Sequence, residues 1–207
     1  MAEIAQGILG GVSGKVGTIV GATWRGKNII RAKPRKTSKP ASEKQLDQRQ
    51  KFKAVANFLS PLFALTSKYF GQYQGVKSRT NLAMSYHLLE TIKKEGNDFV
   101  IDFPKVVITK GILNGLSAPK AERKENTIAL TWSDGVSSAL SKAEDKVIAV
   151  VYNPDEKLFY ITEATVKRSD KKLDVTLAAT WTNTNNELWV IVNNDNQCST
   201  SMYIGKF

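Results

Sequence analysis

One cysteine and one histidine in 207 residues leave little material for thiol, metal or redox chemistry. Cys198 alone cannot close an intrachain disulfide, so the fold does not rest on oxidation. His87 has no cysteine or second histidine spaced to complete a metal site, and it reads as a surface or boundary residue of a helix. A Cys-His nucleophile pair would need these two residues to meet through the fold. Nothing approaches the ~20 consecutive apolar residues of a membrane span. The opening Met1-Ala-Glu-Ile-Ala-Gln-Gly7 has neither the basic nor the apolar region of a secretory signal. The expectation is a chain made in the cytoplasm and, if it works outside a cell, carried there within a virion or extracellular assembly. Gly10 to Lys15 is glycine-rich, but a phosphate loop needs Gly where Leu9 stands, Ser or Thr where Val16 stands, and a strand before it. Asp98, Asp102, Glu144 and Asp145 read as solvated charge on loops or strand edges. No catalytic constellation emerges, so we expect no enzyme, no cofactor, no metal site and no small-molecule substrate.

What is present is a globular body behind an unusual N-terminal arm. The 42% hydrophobic and 9% aromatic content can supply a core. The net charge of +11 is uneven: residues 1–53 carry 12 Lys/Arg against 3 Asp/Glu, whereas residues 54–207 carry 18 against 16. Basicity in the N-terminal quarter points to phosphate, an anionic surface or an acidic protein as the partner.

Between Lys15 and Lys33 the pattern is two strands and a turn. Val16, Ile19, Val20 and Trp24 populate the first strand and Ile29 and Ile30 the second, with the reversal in Arg25-Gly-Lys-Asn28. Two strands alone are marginal in water, so the hairpin should add to a sheet elsewhere in this chain or a neighbouring one. Ile19, Val20, Trp24, Ile29 and Ile30 are the candidate assembly residues. Arg25, Lys27, Arg31, Lys33, Arg35, Lys36 and Lys39 are the candidate anion-binding residues. Lys33 to Pro40 reads as an extended linker, because its prolines exclude helix.

Ser42 and Gln45 have the spacing of a capping box, and a helix follows with Phe52, Val55, Ala56 and Leu59 on one stripe. Ser60-Pro61 would cap a second helix, burying Leu62, Leu65, Thr66, Tyr69, Phe70 and Tyr73. A third helix would run from Thr80 to about Glu95 and stop at Gly96, with Leu82, Tyr86, Leu89 and Ile92 on one face. The hairpin is the expected cover for these stripes. Phe99 to Thr109 reads as a strand interrupted by Pro104. Strands are then expected at Thr127–Trp132, Lys146–Tyr152, Lys157–Thr162, Leu173–Leu177, Glu187–Asn193 and Ser201–Ile204, separated by Asn, Asp, Gly and Pro clusters. About seven strands in about 90 residues is the spacing of an immunoglobulin-like sandwich. The fold class is α+β: an N-terminal β-hairpin arm and linker (1–41), a small helical layer with a connecting strand (42–116), and an antiparallel β-sandwich (117–207).

Two resemblances add to this reading. Ile128-Ala-Leu-Thr-Trp132, Val150-Val-Tyr152 and Met202-Tyr-Ile204 resemble a fibronectin type III or related sandwich, which implies an early-strand Trp packed under the sheet. Gly10 to Gly17, Trp24 to Arg31, and Pro40 to Phe52 with its Gln45, Gln48, Arg49 and Phe52 are similar to a bacterial family of about 200 residues without an assigned activity. More loosely, they resemble small proteins of phage structural regions. The resemblance implies an architecture and an association with phage-like or surface assemblies. The expected function is a non-enzymatic structural subunit of a virion, tail or surface assembly that docks through its arm, with protein partners or copies of itself. Nucleic acid on the basic arm is the second reading. Carbohydrate or receptor binding through the sandwich loops is the third, with Trp181 as the exposed aromatic to watch.

Overall fold

The computed structural model describes residues 2–4, 11–35, 38–96, 98–133, 135, 137–181 and 185–207. Lys36 and part of the Asn-rich turn, residues 182–184, lie outside the described residues. The chain forms two compact units, Met1–Glu43 and Lys44–Phe207.

The first unit is a sheet of four strands, not two: β1 (Ala2–Ile4), β2 (Gly14–Val16), β3 (Ile19–Trp24) and β4 (Lys27–Ala32), in the order β1-β4-β3-β2. All pairings are antiparallel. The expected first strand is cut by a turn at Gly17-Thr18, so Val16 and Ile19 face each other across β2 and β3. The hairpin thus finds its extra strands within its own unit. The β3–β4 reversal is Arg25-Gly26, with φ of +52° and +78°. Positive φ at both central positions gives the two-residue turn whose twist suits a hairpin, and Gly26 adopts it without steric cost. Asn28, expected in the turn, sits in β4 and accepts a hydrogen bond from the Thr23 hydroxyl at 3.2 Å.

The second unit begins in α1 (Glu43–Leu59), followed by α2 (Phe63–Tyr69) and α3 (Arg79–Glu90). Val55, Phe58, Leu59 and Leu62 are buried, but Phe52, expected on the stripe, is 51% exposed. The stripe is set by partners as well as by period: Phe58 meets Tyr152 and Phe159 at ring distances of 5.2 Å each. Ser60-Pro61 forms a turn instead of a cap, the Phe63 N–H donating to the Ser60 carbonyl at 3.2 Å, and Tyr73 and Leu89 are exposed. Ser78 caps α3, accepting from the Asn81 N–H at 3.3 Å. Ile92–Glu95, expected as helix, is β5, paired with β6 (Asp98–Ile101). The β-branched residues Ile92, Val100 and Ile101 and the Gly96 turn favour the hairpin over a fourth helical turn. Pro104 opens a short 3-10 turn, Phe103–Lys105, and does not interrupt a strand.

Seven strands complete the unit: β7 (Ser117–Lys124), β8 (Thr127–Ser133), β9 (Lys146–Asn153), β10 (Leu158–Ile161), β11 (Lys172–Thr176), β12 (Glu187–Asn193) and β13 (Met202–Lys206). They make a sheet β11-β8-β7 and a sheet β10-β9-β12-β13. The fold is α+β with an immunoglobulin-like antiparallel sandwich. Its fourth strand, β10, pairs with the third and not with the fifth, which separates it from the antibody constant arrangement. β7 was not among the expected strands, because its sequence is polar and contains Pro119. A register shift between Ser117 and Lys120 accommodates that proline.

The helices are not a separate middle region. Alternate residues of β9 and β12 serve two cores: Val147, Ala149, Val151, Leu188, Val190 and Val192 face β8 and β11, where Ile128, Leu130, Trp132, Leu173 and Val175 are buried. Ile148, Val150, Tyr152, Trp189 and Ile191 face the helical residues Val55, Phe58, Leu59 and Leu62. The sheet buried on both faces is therefore a cover of the helical stripes.

Candidate functional site

The sheet pleat sorts the candidate residues of the N-terminal unit into two sets, because directly paired residues share a face and neighbours alternate. Val20, Ala22 and Trp24 lie opposite Arg31, Ile29 and Lys27, and Lys15 lies opposite Val20. One face thus presents Val20, Trp24 and Ile29 together with Lys15, Lys27 and Arg31. Ile19 and Ile30 belong to the other face, with Val16, Thr23 and Asn28. Across that second face runs the chain at residues 11–12. A Cβ on Gly21 would collide with the Val12 carbonyl at 2.1 Å, so glycine is what lets the backbone cross there.

The first face carries Trp24, which is 50% exposed, with the Arg25 guanidinium 4.9 Å from its ring centroid. That cation is held by the turn against the indole face, where the ring quadrupole attracts it. Lys33 extends the pairing, its N–H donating to the Thr18 carbonyl at 2.8 Å. Lys33, Arg35 and Lys39 are exposed along the segment after the sheet. Lys15 was missed as a candidate, although its place opposite Val20 puts it in the cationic row; only the register reveals that.

Among the described residues 11–43, Gly21 alone is buried. Val12, Val16, Ile19 and Trp24 are each more than a third exposed. Strands β2, β3 and β4 are paired, yet among the described residues 11–43 no side chain is buried.

The other sequence candidates are used inside the second unit. His87 is fully buried, not at the surface, and packs against the Tyr86 and Phe70 rings at 5.3 and 6.2 Å. Its Nδ1 lies 2.8 Å from the Ala83 carbonyl, and burial lowers its pKa, which keeps the ring neutral. Burial pushes the Cys198 thiol up to about 11, so it is not a thiolate near neutral pH. Asp102 and Asp145 are buried, not solvated. Asp102 is paired with Lys93 at 2.8 Å and Lys105 at 3.5 Å, and the first of these holds its carboxyl below the usual range. Asp145 accepts from the Lys142 N–H at 2.8 Å and lies 3.5 Å from Arg168. Trp181 is buried, and its indole N–H donates to Glu156 at 2.8 Å, so the loop lacks the exposed aromatic expected there. Among the described residues no group of His, Cys, Asp and Glu could hold a metal ion, and no helix is long and apolar enough to cross a membrane.

A family model matches residues 11–205, which takes in most of the N-terminal sheet and nearly all of the second unit. The chain belongs to this family of unknown function, DUF6266. Strands β2, β3 and β4 fall within the DUF6266 match, as do the helices and nearly all of the sandwich. No curated protein and no solved structure matches the chain.

Proposed function

We propose that this protein is a structural subunit of a larger assembly, docking through its N-terminal sheet. The observation that carries the reading is the absence of a buried side chain in that sheet among the described residues 11–43. Sheets gain stability by packing an apolar face, and here Trp24 on one face and Ile19 and Val16 on the other are exposed. The second unit offers a matching acceptor in β10, the outer strand of its four-stranded sheet. Leu158, Tyr160 and Ile161 on it are 53%, 43% and 39% exposed, and exposed Asp155 and Glu163 flank it. An unpaired, apolar edge strand is a template for strand addition. In this reading β2 of one copy pairs with β10 of the next, its basic surroundings meeting acidic flanks, and a head-to-tail contact of this kind propagates into rings or filaments. The resemblance of the first 60 residues to phage structural-region proteins supports a virion-like, tail-like or surface assembly.

Native mass spectrometry and electron microscopy of the full chain test this directly. Oligomers are expected from the intact protein, whereas deletion of residues 1–40 or Tyr160→Lys in β10 should yield monomers. A full-length protein that stays monomeric at high concentration refutes the reading.

Trp24, capped by Arg25 and aligned with Lys15, Lys27 and Arg31, favours nucleic acid as the second reading, since an exposed ring can stack a base while the cations neutralise phosphates. Affinity for single-stranded DNA or RNA that falls steeply with salt would support it. No binding at low salt removes it.

A further inference from the structure

The second unit also contains a cleft of about 230 Å3 whose ionic lining is of one sign. Lys68 reaches it from α2, Arg79 from the first turn of α3, and Lys110 from the extended segment that bridges to Phe70. Gln72, Asn196 and Gln197 add amide donors, and no Asp or Glu lines it. None of the three cations takes part in a salt bridge among the described residues. Each is instead held over an aromatic ring: Lys68 at 4.9 Å from Tyr69, Arg79 at 5.3 Å from Tyr73 and Lys110 at 5.9 Å from Tyr86. Asp195, the carboxylate that acts on Lys68, is engaged elsewhere by Lys146 at 2.9 and 3.1 Å.

The Nε of Arg79 is buried and has no hydrogen-bond partner. Three like charges around one concavity repel. A bound anion would relieve that repulsion. A monocarboxylate offers one charge and two oxygens. A phosphate monoester offers about −1.5 to −2 and three strong acceptor oxygens, which matches three cations. Exposed Ile112 gives the cleft an apolar side against which a short organic group could lie. The volume falls below the roughly 300–1,000 Å3 of drug-sized sites, so the ligand is small.

We propose that the Lys68–Arg79–Lys110 cleft binds a phosphate group carried by a small molecule, either a monoester of a few carbons or free phosphate. This site would not depend on assembly through the N-terminal sheet.

The test is calorimetric titration of the full-length protein, in low-salt chloride buffer, with glycerol 3-phosphate, inorganic phosphate and acetate. Amide shifts of Gly71 and Gly111 would be followed by NMR. Saturable binding of the phosphate compounds, with acetate at least tenfold weaker, is expected. Tighter binding of the ester assigns the organic group to Ile112; equal binding assigns the site to free phosphate. Lys110→Ala and Arg79→Gln should each weaken binding by about tenfold or more, the loss of a charge-assisted hydrogen bond, while Lys124→Ala on β7 leaves it unchanged. Lys68 and Lys110 are exposed, so their alanine variants keep the test decisive if Arg79→Gln fails to fold. The proposal is overturned by an absence of saturable phosphate binding, by equal affinity for acetate, or by full affinity in a folded Lys110→Ala protein.

Discussion

Truncating Phe58 to alanine tests whether the helices and the sandwich are one cooperative unit. The ring is 5% exposed, lies in α1, and meets Tyr152 of β9 and Phe159 of β10 edge-on at 5.2 Å each, with Phe103 at 6.2 Å. Removing a buried Phe side chain costs about 3–5 kcal/mol through lost transfer energy and the cavity left behind. Edge-to-face pairs account for about 0.5–1.5 kcal/mol apiece within that loss. In a unit of this size each kcal/mol moves Tm by about 2–4 °C, so Phe58→Ala should melt about 6–20 °C lower. Because β9 and β12 feed both cores, the loss must be shared. Urea unfolding followed by far-UV circular dichroism should remain a single transition, and hydrogen exchange should accelerate in β8 and β11 as much as in α1. Unchanged protection of β8 and β11 in a variant whose α1 has loosened would refute the shared core and restore the helices as a separate layer.

Two further outcomes concern pH. Lys93 holds the Asp102 carboxyl below its usual range, so its ion pairs contribute fully above the unfolded carboxylate pKa of ~3.9 and are lost as pH falls through the depressed folded value. Asp102→Asn should be less stable than the parent near neutral pH, and the two should converge in strong acid; parallel curves would show that the pair contributes nothing. Cys198 runs the opposite way, since its folded value of about 11 lies above the model-compound 9.0. Its contribution is complete below pH 9 and is lost as pH rises toward 11, a decline that Cys198→Ala should lack. In the folded state its thiolate fraction at pH 8 is about a hundredfold below that of a free thiol. Iodoacetamide labelling should therefore wait for unfolding, and rapid labelling of the native protein would contradict the burial.

Particular residues show why some features were legible in the sequence and others were not. The strand Glu187–Asn193 was found with its bounds correct, because a short run of β-branched and aromatic residues between Asn clusters admits little else. Between its polar ends, Leu188–Val192 is apolar at every position, not alternately, which is the signal for a sheet covered on both faces. Ile92–Glu95 continued the helical spacing of α3, and only its pairing with Asp98–Ile101 made it a strand. The failures among site residues have a common cause. Asp is a residue type that usually meets solvent and His an intermediate one, whereas the Asn-rich surroundings of Trp181 suggested an exposed loop; Asp102, Asp145, His87 and Trp181 were each buried by partners distant in the chain or across a turn.

The sequence alone determined the α+β class, the basic and glycine-rich character of the N-terminal quarter, and most sandwich strands, because composition, period and turn chemistry act over a few residues. The tertiary structure decided which stripe met which sheet, that the arm is a four-stranded sheet, and that Trp24 shares a face with Lys15, Lys27 and Arg31. It also brought Lys68, Arg79 and Lys110 around one cleft. Those are matters of register and of contacts between residues far apart in the chain, and no local pattern encodes where a side chain will find its neighbour.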